Sequence, residues 1–233
     1  MSLIAWWKLD ETSGTIAYDS SVNENNGTLI NTPTPVAGII GNALSFDGGV
    51  SSEAVSFPSA NFRTLPSFTW TCWIKTPGFG ASQIENGIGS ITYAPLFGAN
   101  SSGELIFYMY SGTTPYDITT SGVNVHDDKW HFCCFWWDGE VMKIFADGVE
   151  EASGPGLQDW QYTIAGYIGR DPNSSDRYFN GLIDDVRIYD NALSQKEISE
   201  LSKAKLLHYK MNNFQEPTTN VVTNWDLDTG WSK

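Results

Sequence analysis

The chain has 233 residues, which is enough for a single domain with a large core, since sandwiches and barrels of this size are often single domains. It carries 27 acidic and 13 basic residues, a formal net charge of −14, and so lacks the basic surface that nucleic-acid-binding proteins present. Its apolar runs are shorter than the roughly 18 residues of a membrane span. The opening segment "MSLIAWWKLDE" lacks the features of a secretory signal peptide.

Short runs of β-branched and aromatic residues alternate with clusters of Gly, Asn, Ser, Asp and Pro along the chain. This spacing predicts an all-β, antiparallel sandwich of many short strands rather than alternating strands and helices. The Asp-Gly dipeptides in "WDGE" and "ADGV" predict tight turns that fold one strand back on the next. The predicted strands are 4–9, 43–46, 67–75, 104–110, 129–137, 141–147, 162–169 and 182–189.

The predicted strand 129–137 has apolar residues on both faces. Such a strand is typical of the centre of a sheet that is covered on both sides. Its tryptophans fit core packing, although a sheet face that stacks sugar rings on aromatic side chains would give the same pattern. One face carries Trp130, Phe132, Cys134 and Trp136, and the other carries His131, Cys133, Phe135 and Trp137.

The three cysteines are Cys72, Cys133 and Cys134. An odd number, with two of them adjacent on a predicted strand, is a poor disulfide framework, and no Cys-x-x-Cys spacing suggests zinc. We therefore predict three buried free thiols that act as small apolar side chains.

The segment "IDDV" interrupts the predicted strand 182–189 with two adjacent carboxylates. Asp184 and Asp185 lie between Ile183 and Val186, although Asp has low strand propensity and is costly to bury. Because successive side chains on a strand point to opposite faces, we expect one Asp to face water and the other to be carried inward.

The best predicted helix is 194–204, where Ser194 and Glu197 form a capping box and Ile198 and Leu201 give an apolar edge. We expect it to be short and to lie at the rim of the sandwich. The composition changes after this helix, and "EPTTN" is typical of a linker. The sequence therefore predicts one domain over 1–204, followed at 205–233 by a linker and the start of a truncated further domain.

Five motifs, in this order, resemble the laminin-G-like domains of the concanavalin A-like lectin/glucanase superfamily. The resemblance implies a jelly roll of two antiparallel sheets. Such domains are commonly binding modules of enzymes, bacterial adhesins and bacteriophage tail or capsid proteins, and 205–220 is similar to the segment after such domains in phage virion proteins. The motifs are "AWWKLDETSGTIAYDSSVNENNGTL" (5–29), "GIIGNALSFDGG" (38–49), "FTWTCWIKT" (68–76), "DDKWHFCCFWWDGEVMKIFADGVEE" (127–151) and "GYIGRDPNSSDRYFNGLIDDVRIYDNALSQKEISEL" (166–201).

The resemblance also implies a bound calcium ion between the "YDSSVNENNGT" loop and the "GLIDDVRIY" strand. Calcium prefers six to eight carboxylate, amide and carbonyl oxygens, and this loop is rich in them. Without the resemblance, a loop of Asx turns and a solvated Asp pair explain the same residues about as well. The implied ligands are Asp19 and Asp184, with Asn23 and Asn26 nearby and Asp47 and Asp185 as second choices.

The glucanases of this superfamily carry a Glu-x-Asp-x-x-Glu pattern on one strand, and this chain has no such triplet. A pair of carboxyl groups is what retaining glycoside hydrolysis requires, so we do not expect an enzyme. The first hypothesis is a lectin-like module of a virion or extracellular adhesion protein that binds a cell-surface glycan or polysaccharide.

The alternative hypothesis is a structural virion or assembly domain with no glycan ligand. In either case we expect no nucleic-acid partner and no membrane insertion. A homo-oligomer that forms part of a larger virion or surface assembly is compatible with both hypotheses. For the lectin hypothesis, the candidate aromatic platforms are Tyr116, Trp160, Tyr162 and Tyr178, and the candidate hydrogen-bonding residues are Asp171, Asn173 and Arg177.

Overall fold

The structure is a computed structural model, and it describes residues 2–58, 65–78, 84–90, 95–111, 114–157, 166–171 and 177–212. These residues form many short strands and one helix. The elements are β1 (Leu3–Trp7), β2 (Ile16–Ala17), β3 (Gly27–Ile30), β4 (Thr34–Ala37), β5 (Asn42–Asp47), β6 (Ala54–Phe57), β7 (Phe68–Lys75), β8 (Ile84–Ser90), β9 (Leu96–Asn100), β10 (Leu105–Ser111), β11 (Thr114–Thr119), β12 (Trp130–Trp137), β13 (Val141–Ala146), β14 (Val149–Pro155), β15 (Gly166–Ile168), β16 (Asn180–Tyr189) and α1 (Gln195–Asn212).

The strands form two eight-stranded antiparallel sheets, which confirms the predicted jelly-roll sandwich. The first sheet has the order β14-β13-β12-β7-β16-β5-β4, with β1 paired to β16. The second has the order β11-β10-β9-β8-β15-β6-β3-β2. Consecutive strands are often far apart in this order, as is usual where antiparallel strands cross between two packed sheets.

Aromatic side chains fill the space between the sheets. The rings of Phe97 on the second sheet and Phe135 on the first are stacked with centroids 4.3 Å apart, and Phe107 lies 4.9 Å from Phe97. All three are buried, and each phenyl ring taken out of water contributes roughly 1.5–3 kcal/mol to folding.

Strand β12 is central in the first sheet, between β13 and β7, and is covered on both faces as predicted. Cys133 and Phe135 face the core between the sheets. Phe132 and Cys134 face a second apolar cluster on the outer side, to which α1 contributes Ile198. The helix therefore covers the outer face of the first sheet.

The predicted turn at "ADGV" is confirmed. Asp147 and Gly148 connect β13 to β14, with φ angles of +51° and +86°. Two successive residues with positive φ are the signature of a type I′ turn, whose twist matches that of the flanking strands.

The capping box of α1 is also confirmed. The backbone N–H of Ser194 donates to the Glu197 carboxylate at 2.7 Å, and the N–H of Glu197 donates to Ser194 Oγ at 3.4 Å. The helix is longer than predicted, because it continues to Asn212 and so crosses the expected boundary at 204. Residues 213–233 lie outside the described part of the chain, and the division into domains stays a prediction.

The three cysteines are free and buried, as predicted. A hydrogen bond to Cys72, together with burial, raises the pKa of the Cys133 thiol, and burial raises that of Cys134. Both are therefore protonated and act as core side chains at neutral pH. Among the described residues, no helix is both long and apolar enough to span a bilayer.

Candidate functional site

Both carboxylates of the "IDDV" segment are buried, so the expectation that one of them faces water is wrong. Asp184 is 0% exposed and Asp185 is 3% exposed. The reason is a β-bulge: the register of β16 against β7 shifts between Asp184 and Arg187, and Asp185 takes a φ of +54°. A bulge breaks the alternation of side chains on which the expectation rested.

Asp184 fastens β16 to the connection between β4 and β5. Its Oδ2 accepts hydrogen bonds from the backbone N–H groups of Ile39 at 2.8 Å and Ile40 at 3.3 Å. The backbone approaches so closely that a Cβ on Gly38 would stand 2.7 Å from the same oxygen. The carboxylate thus satisfies buried backbone donors that would otherwise be costly.

Asp185 binds a different set of partners on β1 and β16. Its Oδ1 accepts from the indole N–H of Trp6 at 2.7 Å and from the Arg187 guanidinium at 3.2 Å. The guanidinium carbon of Arg187 lies 4.4 Å from the centre of the Trp6 ring, and Lys8 Nζ lies 4.6 Å from it. Burial disfavours the charged form of Arg187, but the adjacent Asp185 carboxylate raises its pKa.

Asp19 organises the loop that comes after β2. Its Oδ1 accepts from the backbone N–H groups of Trp6 and Ser21, both at 2.8 Å. Its Oδ2 accepts from Ser21 Oγ at 2.7 Å and from the backbone N–H of Asn25 at 2.8 Å. Both oxygens of this carboxylate are therefore already engaged by the chain itself.

The loop asparagines bind the backbone of β1 and of the loop. Asn23 Nδ2 donates to the Ile4 carbonyl at 3.1 Å, and Asn26 Oδ1 accepts from the Asp19 N–H at 2.9 Å. Asn25, which the sequence did not single out, is 3% exposed, donates to the Ile4 carbonyl at 2.8 Å and accepts from the Trp7 indole at 2.9 Å. Nothing in the sequence separates this asparagine from its neighbours.

Asp47 lies at the end of β5 and caps the adjoining turn. Its carboxylate accepts from the N–H of Gly49 at 3.1 Å and of Ser51 at 2.7 Å. The four predicted carboxylate ligands thus stabilise different segments of the chain. Across the described ranges, no three His, Cys, Asp or Glu side chains are placed to hold a metal ion together. Calcium binding stays a prediction.

A cluster of two tyrosines and an arginine lies at the end of β15. The guanidinium carbon of Arg170 is 4.7 Å from the centre of the Tyr167 ring and 5.9 Å from that of Tyr178. Arg170 and Tyr178 are held opposite each other by an isolated antiparallel bridge. All three side chains are partly exposed, so the cluster is accessible to a ligand. We call these residues the Tyr–Arg cluster.

Two other predicted residues flank the Tyr–Arg cluster. Asp171 is only 2% exposed, and its Oδ2 lies 3.3 Å from Nη1 of Arg177, whose side chain is 41% exposed. Asp171, Arg177 and Tyr178 are therefore brought to one place, as the prediction of a common ligand site requires.

The remaining predicted ligand residues do not join this group. Tyr116 lies on β11, packs against the core between the sheets and is four strand positions from β15, about 19 Å at the usual strand spacing. It is therefore a strand residue rather than a loop platform. Trp160, Tyr162 and Asn173 lie outside the described residues.

Sequence reasoning missed Tyr167 and Arg170. Tyr167 stands between Gly166 and Ile168, which are both buried, so it points away from the core. That alternation was available in the sequence. The contact of Arg170 with both rings was not, because it depends on the bridge to Tyr178.

Comparison with known proteins agrees with this architecture. A family model described as the concanavalin A-like lectin/glucanases superfamily matches residues 47–199, more than half of the chain. The adhesion G-protein coupled receptor V1 of Danio rerio is 27% identical over 167 residues, which cover 66% of this chain and 3% of the receptor.

The similar solved structures share the fold at low sequence identity. The binding domain of Paraclostridial Mosquitocidal Protein 1 has a TM-score of 0.72 and 15% identity, over 86% of this chain and 52% of that one. Domain 4 of AbnA, an extracellular arabinanase from Geobacillus stearothermophilus, in complex with arabinotriose, has a TM-score of 0.70 and 21% identity, over 86% of this chain and 98% of that domain.

The binding domain of botulinum neurotoxin DC in complex with SialylT has a TM-score of 0.66 and 16% identity, over 88% of this chain and 51% of that one. The chain thus spans about half the length of the two toxin domains. The matched residues, the ordered motifs and the two-sheet architecture lead to one assignment. The chain belongs to the concanavalin A-like lectin/glucanases superfamily.

Proposed function

We propose that this chain is a non-catalytic, lectin-like module that binds carbohydrate at the Tyr–Arg cluster. The observation that carries the proposal is the contact of Arg170 with the rings of Tyr167 and Tyr178 at an exposed position. Aromatic rings offer apolar faces to the C–H groups of a sugar, and a few fixed polar groups orient its hydroxyls.

The sheet beside the cluster extends this surface. Tyr167 is paired with Ser56 on β6, and Ser56 is paired with the exposed Thr28 on β3. Paired residues point to the same face, so two hydroxyl side chains continue the row that starts at Tyr167. On its other side Tyr167 is paired with Gly89, which has no side chain to cover the ring. The row suits an elongated ligand with many hydroxyls.

The similar proteins support a binding role without defining the ligand. One solved neighbour is in complex with arabinotriose, another is in complex with SialylT, and one curated relative is an adhesion receptor. We therefore infer a cell-surface glycan or polysaccharide as partner, and an extracellular or virion protein, such as a phage tail protein, as the context.

The proposal is tested by applying the full chain to a glycan array and measuring any hit by titration calorimetry. We expect competable binding that Tyr178→Ala weakens at least tenfold, while Tyr18→Ala does not. Tyr18 is a suitable control because it is 56% exposed and comes directly after β2, three strand positions from β15. A blank array would overturn the proposal and favour the alternative, a structural virion or assembly domain.

Absence of catalysis is part of the proposal and has its own assay. The chain should release no new reducing ends or unsaturated products from β-glucans, alginate or sialylated glycans. Turnover that disappears in a Glu→Gln or Asp→Asn variant would reveal an active site and contradict this part.

A further inference from the structure

Arg170 differs from its neighbours in what its charge contacts. Arg177 pairs with Asp171 at 3.3 Å, and Arg187 pairs with Asp185 at 3.2 Å. Within the described ranges, no carboxylate pairs with Arg170, although the whole chain has 27 acidic residues. Its Nε, which is shielded from solvent, has no hydrogen-bond acceptor there either. The guanidinium charge of Arg170 therefore has no anionic partner among the described residues.

The two rings fix the guanidinium without using its hydrogen-bonding capacity. A ring held against the face of a guanidinium interacts through its π electrons and leaves the N–H donors at the guanidinium edge free. Those donors form a planar fork that matches the two oxygens of a carboxylate. Arg170 is therefore prepared to bind a planar anion rather than a lone hydroxyl.

The adjacent ion pair does not neutralise this fork. Asp171 pairs with Arg177 at 3.3 Å, so its carboxylate is already engaged by a different arginine. The rest of the chain is strongly acidic, with a net charge of −14. Beyond about 8 Å that field is screened at physiological ionic strength, and the contact at Arg170 dominates.

We infer that the Tyr–Arg cluster selects an acidic sugar, a glycan residue whose carboxylate is bound by Arg170. The inference rests on the proposed function and names its ligand class. Tyr167 and Tyr178 would contact the sugar ring while Arg170 donates hydrogen bonds to its carboxylate, so that charge separates this ligand from neutral sugars of the same shape.

The test compares sugars that differ in the carboxylate. Calorimetry on the full chain uses sialyllactose against its carboxyl methyl ester, and tri-galacturonate against its methyl ester. At least one acidic member should bind at least tenfold more tightly than its neutral partner, a difference of about 1.4 kcal/mol. Arg170→Gln should abolish the preference, and Arg170→Lys should lose most of it because a lysine offers a point charge instead of a fork.

Lys143→Gln is the matched control. It removes the same charge from β13 of the other sheet, where Lys143 pairs with Glu150 at 2.8 Å. Lys143→Gln should keep the preference for the acidic sugar. Melting curves establish that each variant is folded, and Arg170→Lys, which keeps the positive charge, provides the second test if Arg170→Gln is not.

The outcomes separate this inference from the proposed function. Three outcomes overturn the acidic-sugar assignment and leave the lectin role intact. The chain binds acidic and neutral partners with equal affinity, it prefers only a sulfated sugar, or its preference for the acidic sugar persists in Arg170→Gln. A chain that binds none of these probes and nothing on the array overturns both.

Discussion

The indole nitrogen of Trp6 donates a 2.7 Å hydrogen bond to the carboxylate of Asp185, across a separation of 179 residues. The same carboxylate pairs with Arg187, so one buried side chain joins the first and last strands of the sandwich. Each of the two adjacent aspartates thus holds a different part of the molecule to β16.

Asp185→Ala should destabilise the fold by about 3–5 kcal/mol, the usual cost of leaving one partner of a buried ion pair uncompensated. Urea unfolding measures this change. Asp185→Asn is the matched control, since Asn tolerates the φ of +54° and keeps an acceptor for Trp6. Both variants leave Arg187 without its counter-charge, so Asp185→Asn should cost less than Asp185→Ala only by the Trp6 hydrogen bond and the strain of Ala at positive φ, about 1–2 kcal/mol. Equal losses in both variants would show that the hydrogen bond from Trp6 contributes nothing.

The turn between β13 and β14 is packed against α1. Gly148 has a φ of +86°, and a Cβ there would stand 2.4 Å from Ser202 Oγ on the helix. Gln195 Nε2 also donates to the Gly148 carbonyl at 2.7 Å. We expect Gly148→Ala to lower the melting temperature and to loosen α1, which hydrogen exchange of the helix amides would detect.

Gly122→Ala is the control for this substitution. Its φ of +82° is nearly the same, but a Cβ there would meet nothing within 4 Å. Both variants carry the strain of a left-handed residue, so the difference between them measures the contact of turn and helix. Equal destabilisation would show that this contact contributes nothing.

His131 predicts a pH dependence of stability. It lies between two carboxylates, with Nδ1 2.9 Å from Asp147 Oδ2 and Nε2 3.0 Å from Asp127 Oδ1. The hydrogen bond to Asp147, with that to Asp127, outweighs burial and raises the pKa of His131 above 6.5. Its stabilising contribution is therefore complete below pH 6.5 and is lost as the pH rises through the higher folded value.

The pH range in which His131 stabilises the fold has a lower limit, which is set by the pKa of its partner carboxylate, Asp127. Partial burial opposes its ionisation, but hydrogen bonds from Lys129 and His131 lower the pKa of Asp127 to about 2. We expect the melting temperature of the wild type to exceed that of His131→Gln most clearly near pH 5.5 and least near pH 9.

His126 is the control, because burial lowers its pKa. The sign is then reversed: a histidine that resists protonation in the folded state weakens stability below pH 6.5. The melting temperature of the wild type should therefore increase relative to that of His126→Gln as the pH rises. The same trend in both variants would contradict the described contacts of His131.

Calcium binding is tested by chelation. An ion at a hundred times its dissociation constant would stabilise the folded chain by about 2.7 kcal/mol, or roughly 5–10 °C in melting temperature for a domain of this size. EGTA should then lower the melting temperature, and calcium should restore it better than magnesium. A melting temperature that ignores chelator would mean that hydrogen bonds alone hold Asp19 and Asp184.

The sequence predicted the longer strands of the core but missed the shorter β6 and β9, although these are also largely buried. Strand β12 is the clearest case, since its apolar residues on both faces required a central position. The edge strand β14, "VEEASGP", was not predicted, because its residues are largely exposed and only pairing with β13 makes it a strand.

The site was less predictable than the fold. The bulge at Asp185 depends on how β16 is aligned with β7, and residue alternation cannot reveal that alignment. The Tyr–Arg cluster likewise joins Arg170 to Tyr178 through a bridge between loop residues. In both places the contact is set by neighbouring strands and not by local sequence.

The position of β16 also determines when the protein can fold during its synthesis. This strand lies between β7 and β5 and pairs with β1, so the middle of the first sheet stays open until residue 189 has been made. The sequence separation of 179 from Trp6 to Asp185 takes about 10 to 40 seconds to synthesise at usual translation rates. Until then the edges of β7 and β5 that pair with β16 have no partner, and unpaired strand edges of this kind favour aggregation during folding.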